Sequence, residues 1–101
     1  MDQKDHRVTG RQIAAARALS GISQSELASL AKISIPTLKR MEASPGVASG
    51  MANNVAAVRS ALEAAGVAFL DEGDKVDGGP GVRLHRKPID NGYIDVDDNR
   101  N

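Results

Sequence analysis

Apolar positions recur at helical spacing through the first two thirds of the chain, and polar residues with Gly and Pro cut them into short blocks. Ile13, Ala16 and Leu19 give one broad face to a helix over Gly10–Ser20, with Thr9 as its N-cap and Gly21 as its stop. Ser23 caps a second helix ending near Ala31, and Glu26 three residues later completes a capping box. Leu27, Leu30 and Ala31 fall at i, i+3 and i+4 and are expected to face inward, and Ala28 suits a close helix crossing. Ser34 caps a third helix with Ile35 and Pro36 in its first turn, where the amides lack helical partners anyway. Leu38 and Met41 point inward with Ile33, leaving Thr37, Lys39 and Arg40 outside. Residues 43–50 read as a loop, marked by Ser44-Pro45-Gly46 and Gly50. A fourth helix follows over 52–65, with Val55, Val58 and Leu62 inward and Gly66 closing it.

The period then changes. Val67–Leu70 is a short apolar run, and residues 82–86 alternate, with Val82 and Leu84 on one face and Arg83 and His85 on the other. The two read as a hairpin joined by the acidic, Gly-rich stretch 71–81. A lone two-stranded hairpin is marginal in water, so it must pack on the helices or pair with a second copy. Residues 1–8 read as a flexible N-terminus and residues 87–101 as a disordered acidic tail. Within that tail, Ile89, Tyr93 and Ile94 surround an Asn91-Gly92 turn signal, a weak hairpin or a docking peptide.

Composition restricts the core. With one Phe, one Tyr and no Trp in 101 residues, it must be built from Ala, Val, Leu and Ile, which suits small helices in close contact. The absence of cysteine excludes disulfides and thiolate metal sites and is typical of a cytoplasmic protein. No leader signature opens the chain, and no apolar run approaches the roughly 18 residues that span a bilayer, so no membrane role is expected.

A net charge of zero argues against a nucleic-acid partner until the chain is divided. Residues 1–70 carry eight Lys/Arg against five Asp/Glu, residues 71–86 three against four, and residues 87–101 two against four. Residues 32–41 hold Lys32, Lys39 and Arg40 with no acid, and a phosphate backbone responds to such local charge. On charge alone, a solvated helix face is the simpler reading.

The motif adds what charge does not. Ser23-Gln24-Ser25-Glu26-Leu27-Ala28, then Ala31-Lys32-Ile33-Ser34, Thr37-Leu38 and Met41-Glu42 resemble the Xre/Cro helix-turn-helix regulators. The resemblance runs from about Thr9 to Ala65 and implies a mainly α fold. That fold is a four- to five-helix, lambda-repressor-like DNA-binding domain over residues 9–66, here followed by a short β-hairpin over 67–86. It implies that Gln24 anchors a phosphate at the start of the second helix, and that the third helix enters the major groove. Ile35, Pro36, Lys39 and Arg40 would then face bases or flanking phosphates, Arg40 reading guanine in bidentate fashion and Ile35 and Pro36 touching thymine methyls. Thr37 would contact a phosphate or a base, Ser34 at the same helix end is counted with the DNA-binding residues, and Glu42 resembles the family's helix-closing, structural glutamate. At Lys32 the family often has Gly or Asn, a turn position favouring positive φ, so this lysine either strains the turn or adds a phosphate contact. The run from Ala64 to Leu70, with Gly79-Pro80-Gly81-Val82-Arg83-Leu84, is similar to short members that append a hairpin, a possible dimerisation element.

Other signals carry less. Asp71, Glu72, Asp74 and Asp77 lack the alternate spacing of a calcium loop, His6 and His85 stand alone, and the glycines at 78–81 follow no strand-to-helix pattern. Ser20, Ser23 and Ser34 have no base partner, so no catalytic constellation, metal site, cofactor or small-molecule ligand is expected. The expectation is a homodimeric, cytoplasmic repressor of a palindromic operator in double-stranded DNA. The alternative is a protein-interaction module, an antitoxin or antiactivator that uses its tail.

Overall fold

The computed structural model describes residues 8–71, 73–74 and 78–85. The expectations for the N-terminus before Val8, for the acidic residues Glu72 and Asp77, for Arg86 and for the tail 87–101 lie outside these residues. Within them the chain is mainly helical with a small antiparallel hairpin: α1 (Gly10–Ser20), α2 (Gln24–Ala31), α3 (Ile35–Glu42), α4 (Ala52–Ala64), β1 (Val67–Leu70) and β2 (Gly81–Leu84).

Each of the first three helices starts at a side-chain cap. Thr9, Ser23 and Ser34 accept from the amides of Gln12, Glu26 and Thr37, and Gln12 and Glu26 return the contact to the cap amide. These bonds satisfy donors that the first helical turn leaves open. α1 ends at Gly21 in the left-handed conformation, φ 73°. α4 starts at Met51 without a side-chain cap.

The core is built of small and medium residues. Ile13, Leu27, Leu38, Met41, Val58 and Leu62 are fully buried, with Val8, Ala16, Ala28, Val67 and Phe69 around them. α1 crosses α3 so closely that Gly10 has no room for a side chain: a Cβ there would press on the carbonyl oxygens of Met41, Glu42 and Ser44. Beside this contact the extended residue Thr9 bridges Val47, and the Ala48 amide donates to the Val8 carbonyl at 2.9 Å.

The hairpin pairs Val67 with Leu84 and Leu70 with Gly81. It packs on α1 and α4 rather than standing free. Gln12, only 4% exposed, fastens it: its Nε2 donates to the carbonyl oxygens of Leu70 (3.1 Å) and Gly81 (2.8 Å). Arg59 of α4 lies over the Phe69 ring, 5.0 Å from its centroid.

Two apolar expectations are corrected. Leu19 and Leu30 are exposed, at 47% and 59%. At about 100° per residue, Leu27, Ala28 and Ala31 share one arc of α2 and Leu30 falls outside it, while Leu19 lies in the last turn of α1. On β2 Val82 is half-buried, while Leu84, the last residue of the strand, is 46% exposed.

Candidate nucleic-acid interface

α2 and α3 are joined by Lys32, Ile33 and Ser34, and Lys32 adopts φ 61°, ψ 44° at the end of α2. It is the one described non-glycine residue with positive φ. Its amide donates to the carbonyls of Ala28 and Ser29, and the Ile33 amide to Ala28, which closes α2 and turns the chain toward α3. The left-handed turn is therefore formed with lysine in it, and the Lys32 side chain is left exposed.

α3 divides sharply. Leu38 and Met41 are at 0% exposure, while Ser34, Ile35, Pro36, Lys39 and Arg40 are exposed and Thr37 is half-buried. The amphipathic spacing of this eight-residue helix places all of them on the side away from the core. The polar side chains at its N-terminal end are linked: Ser34 Oγ donates to Thr37 Oγ1 at 2.8 Å, and Arg40 Nη2 approaches the same oxygen at 3.4 Å. Among the described residues, the ion pairs are Arg17–Glu42, Arg59–Glu63 and Arg59–Asp71, and none involves Lys32, Lys39 or Arg40. These three cations are exposed, and none is in an ion pair with a described acid.

Gln24 opens α2 and is half-buried against the end of α3. Its Nε2 donates to Glu42 Oε1 at 3.0 Å. Glu42, its side chain only 8% exposed, also receives Arg17 Nε at 2.7 Å and Nη2 at 3.0 Å, a bidentate pair. Arg17 Nη1 donates to the Ile22 carbonyl at 3.1 Å. Hydrogen bonding to the Glu42 carboxylate holds the Arg17 guanidinium protonated beyond its ordinary range, against the opposing effect of burial. One carboxylate thus ties α1, α2 and α3 together and fixes the orientation of the Gln24 amide. That amide keeps a second hydrogen and its own oxygen for an outside partner.

The structure brings Gln24, Lys32 and the α3 residues Ile35, Pro36, Thr37, Lys39 and Arg40 onto adjoining parts of one two-helix unit. Two contributing residues were not found by sequence reasoning. Arg17 pairs with a residue 25 positions away, and no local pattern signals that. Gln12 could have been found, since Thr9-x-x-Gln12 has the spacing of a capping box. Among the described residues no three His, Asp or Glu side chains converge to hold a metal ion, and no helix is long and apolar enough to cross a membrane.

No protein-family model matches the chain, and no curated protein matches it. The resemblance to the Xre/Cro regulators rests on the motif residues themselves.

Proposed function

We propose that this protein is a cytoplasmic, sequence-specific DNA-binding regulator of lambda-repressor-like fold, acting as a repressor. The observation that carries the reading is the face of α3: an exposed helix edge with Lys39 and Arg40, hydrogen-bonding Ser34 and Thr37, apolar Ile35 and Pro36, and no acid. A B-DNA major groove about 12 Å wide accepts one helix with its side chains. In that pose Arg40 takes a guanine edge, Ile35 and Pro36 meet thymine methyls, and Lys32, Lys39 and Gln24 meet phosphates. Gln24 suits its part because Glu42 already holds its amide, so little side-chain entropy remains to be lost on contact.

Two copies related by a two-fold axis would read half-sites one helical turn apart, about 34 Å, with the hairpin as the pairing element. In this reading, regulation follows protein concentration and operator occupancy.

Selection of bound duplexes from a random pool, followed by titration of the winner, tests the reading. The expected outcome is a palindromic consensus whose binding is lost in the Lys39→Ala, Arg40→Ala double variant, with the circular dichroism spectrum unchanged. Affinity should fall steeply with salt in proportion to the phosphates contacted. Retention of normal binding by the double variant would overturn the assignment of α3.

A further inference from the structure

A second feature lies away from the α3 face. An open groove of about 610 Å³ runs between α4, Val8 and the loop before α4. Val8, Val47, Ala48, Val55 and Ala56 form its apolar walls, with Arg59, Ser60 and Glu63 farther along α4. Val47 is 53% exposed, and Met51, next to the groove in the chain, is 67% exposed. Large apolar side chains left open beside a concave apolar wall mark an interaction site.

We propose that this groove is the docking site of the chain's own residues 89–94, with Tyr93 and Ile94 seated against Val55 and Ala56. The exit point of the chain supports this occupant. The His85 amide donates to the Gly66 carbonyl at 2.7 Å, so the segment after β2 starts at the C-terminal end of α4. From there back to Val55 is about 17 Å along the helix axis. The eight residues from His85 to Tyr93 reach about 26 Å when extended. The tail therefore spans the distance with length to spare, running antiparallel to α4.

Chemistry distinguishes it from the other stretch outside the described residues. Residues 1–7 hold Asp2, Lys4, Asp5, His6 and Arg7, with Met1 as their one apolar side chain, too little to cover the Val47, Val55 and Ala56 walls. Residues 89–94 hold Ile89, Tyr93 and Ile94, including the only tyrosine of the chain. A tyrosine ring buries against apolar walls while its hydroxyl stays at a wet rim, where Ser60 and Glu63 stand. This docking is independent of the DNA reading.

The chain has no cysteine, so one introduced thiol can be labelled cleanly. A spin label on Asp95→Cys in the full-length, isotope-labelled protein should erase the amide signals of Val47, Val55 and Ala56 while sparing Lys39 and Arg40. Tyr93→Ser should restore them, and so should Met51→Lys with Ala56→Glu, two exposed positions whose replacement leaves the Leu27 and Leu38 signals in place. No signal loss in the groove, loss on α3 instead, or loss that persists in either variant would overturn the proposal. So would loss seen when spin-labelled and isotope-labelled copies are mixed, because the occupant would then be a second copy.

Discussion

Lys32 sits in a backbone conformation that most side chains avoid, since a left-handed residue brings Cβ close to the following carbonyl oxygen at a cost of about 1–2 kcal/mol. Glycine has no such conflict, though it loses more chain entropy on folding. Lys32→Gly should therefore raise stability by about 1 kcal/mol, visible as a higher urea midpoint at unchanged slope. On the proposed DNA-binding reading, the same variant should bind operator DNA more weakly, because the exposed ammonium is lost with the strain. A more stable protein with undiminished DNA affinity would remove Lys32 from the interface. This conflict was legible in the sequence, because the turn position and its residue disagree there. The Arg17–Glu42–Gln24 cluster was only half legible: Glu42 stood out as a structural acid, but its cation is on another helix.

At the scale of elements, helix starts follow from local chemistry, and helix contacts follow from shape. Thr9, Ser23 and Ser34 each mark a start that the backbone then adopts. The α1–α3 contact depends on Gly10, where an added Cβ would press on backbone carbonyls that cannot rotate away. Gly10→Ala gains up to about 1 kcal/mol of helix propensity, yet it overpacks the crossing at about 1–3 kcal/mol. The expected net effect is destabilisation by about 1–2 kcal/mol, read as a lower thermal midpoint, with the helices still formed by circular dichroism. A higher midpoint would mean that α1 can shift away from α3 without loss. Leu19 and Leu30 show the limit of periodicity in short helices: in eight or eleven residues a core-facing arc and its flank carry the same apolar letters.

At the scale of the whole molecule, the hairpin packs Val67 and Phe69 into the core, and one buried side chain, Gln12, adds hydrogen bonds from α1 to both of its strands. Gln12→Ala would leave the Leu70 and Gly81 carbonyls without their shared donor, at a cost of about 2 kcal/mol. Amide exchange in Val67–Leu70 and Gly81–Leu84 should accelerate far more than in α2 or α3, because the hairpin opens as a unit. Uniform acceleration across all elements would show instead that the hairpin and helices unfold together. The charge distribution also belongs to this scale, since a chain of zero net charge carries an exposed basic group on α3.

Caps, stops and turn residues act over three or four positions, so the sequence by itself determined where α1, α2 and α3 begin, where α1 and α2 end, and that the last two elements are strands. The exposed edge of α3 was readable for the same reason: Leu38 and Met41 set its inner face. Tertiary structure alone decided which apolar residues on the flanks are buried, how closely α1 approaches α3, and that Gln12 and Arg17 reach partners on distant elements. Those outcomes depend on surfaces meeting across the core, where a fraction of an ångström separates contact from clash, and no spacing along one chain segment encodes that fit.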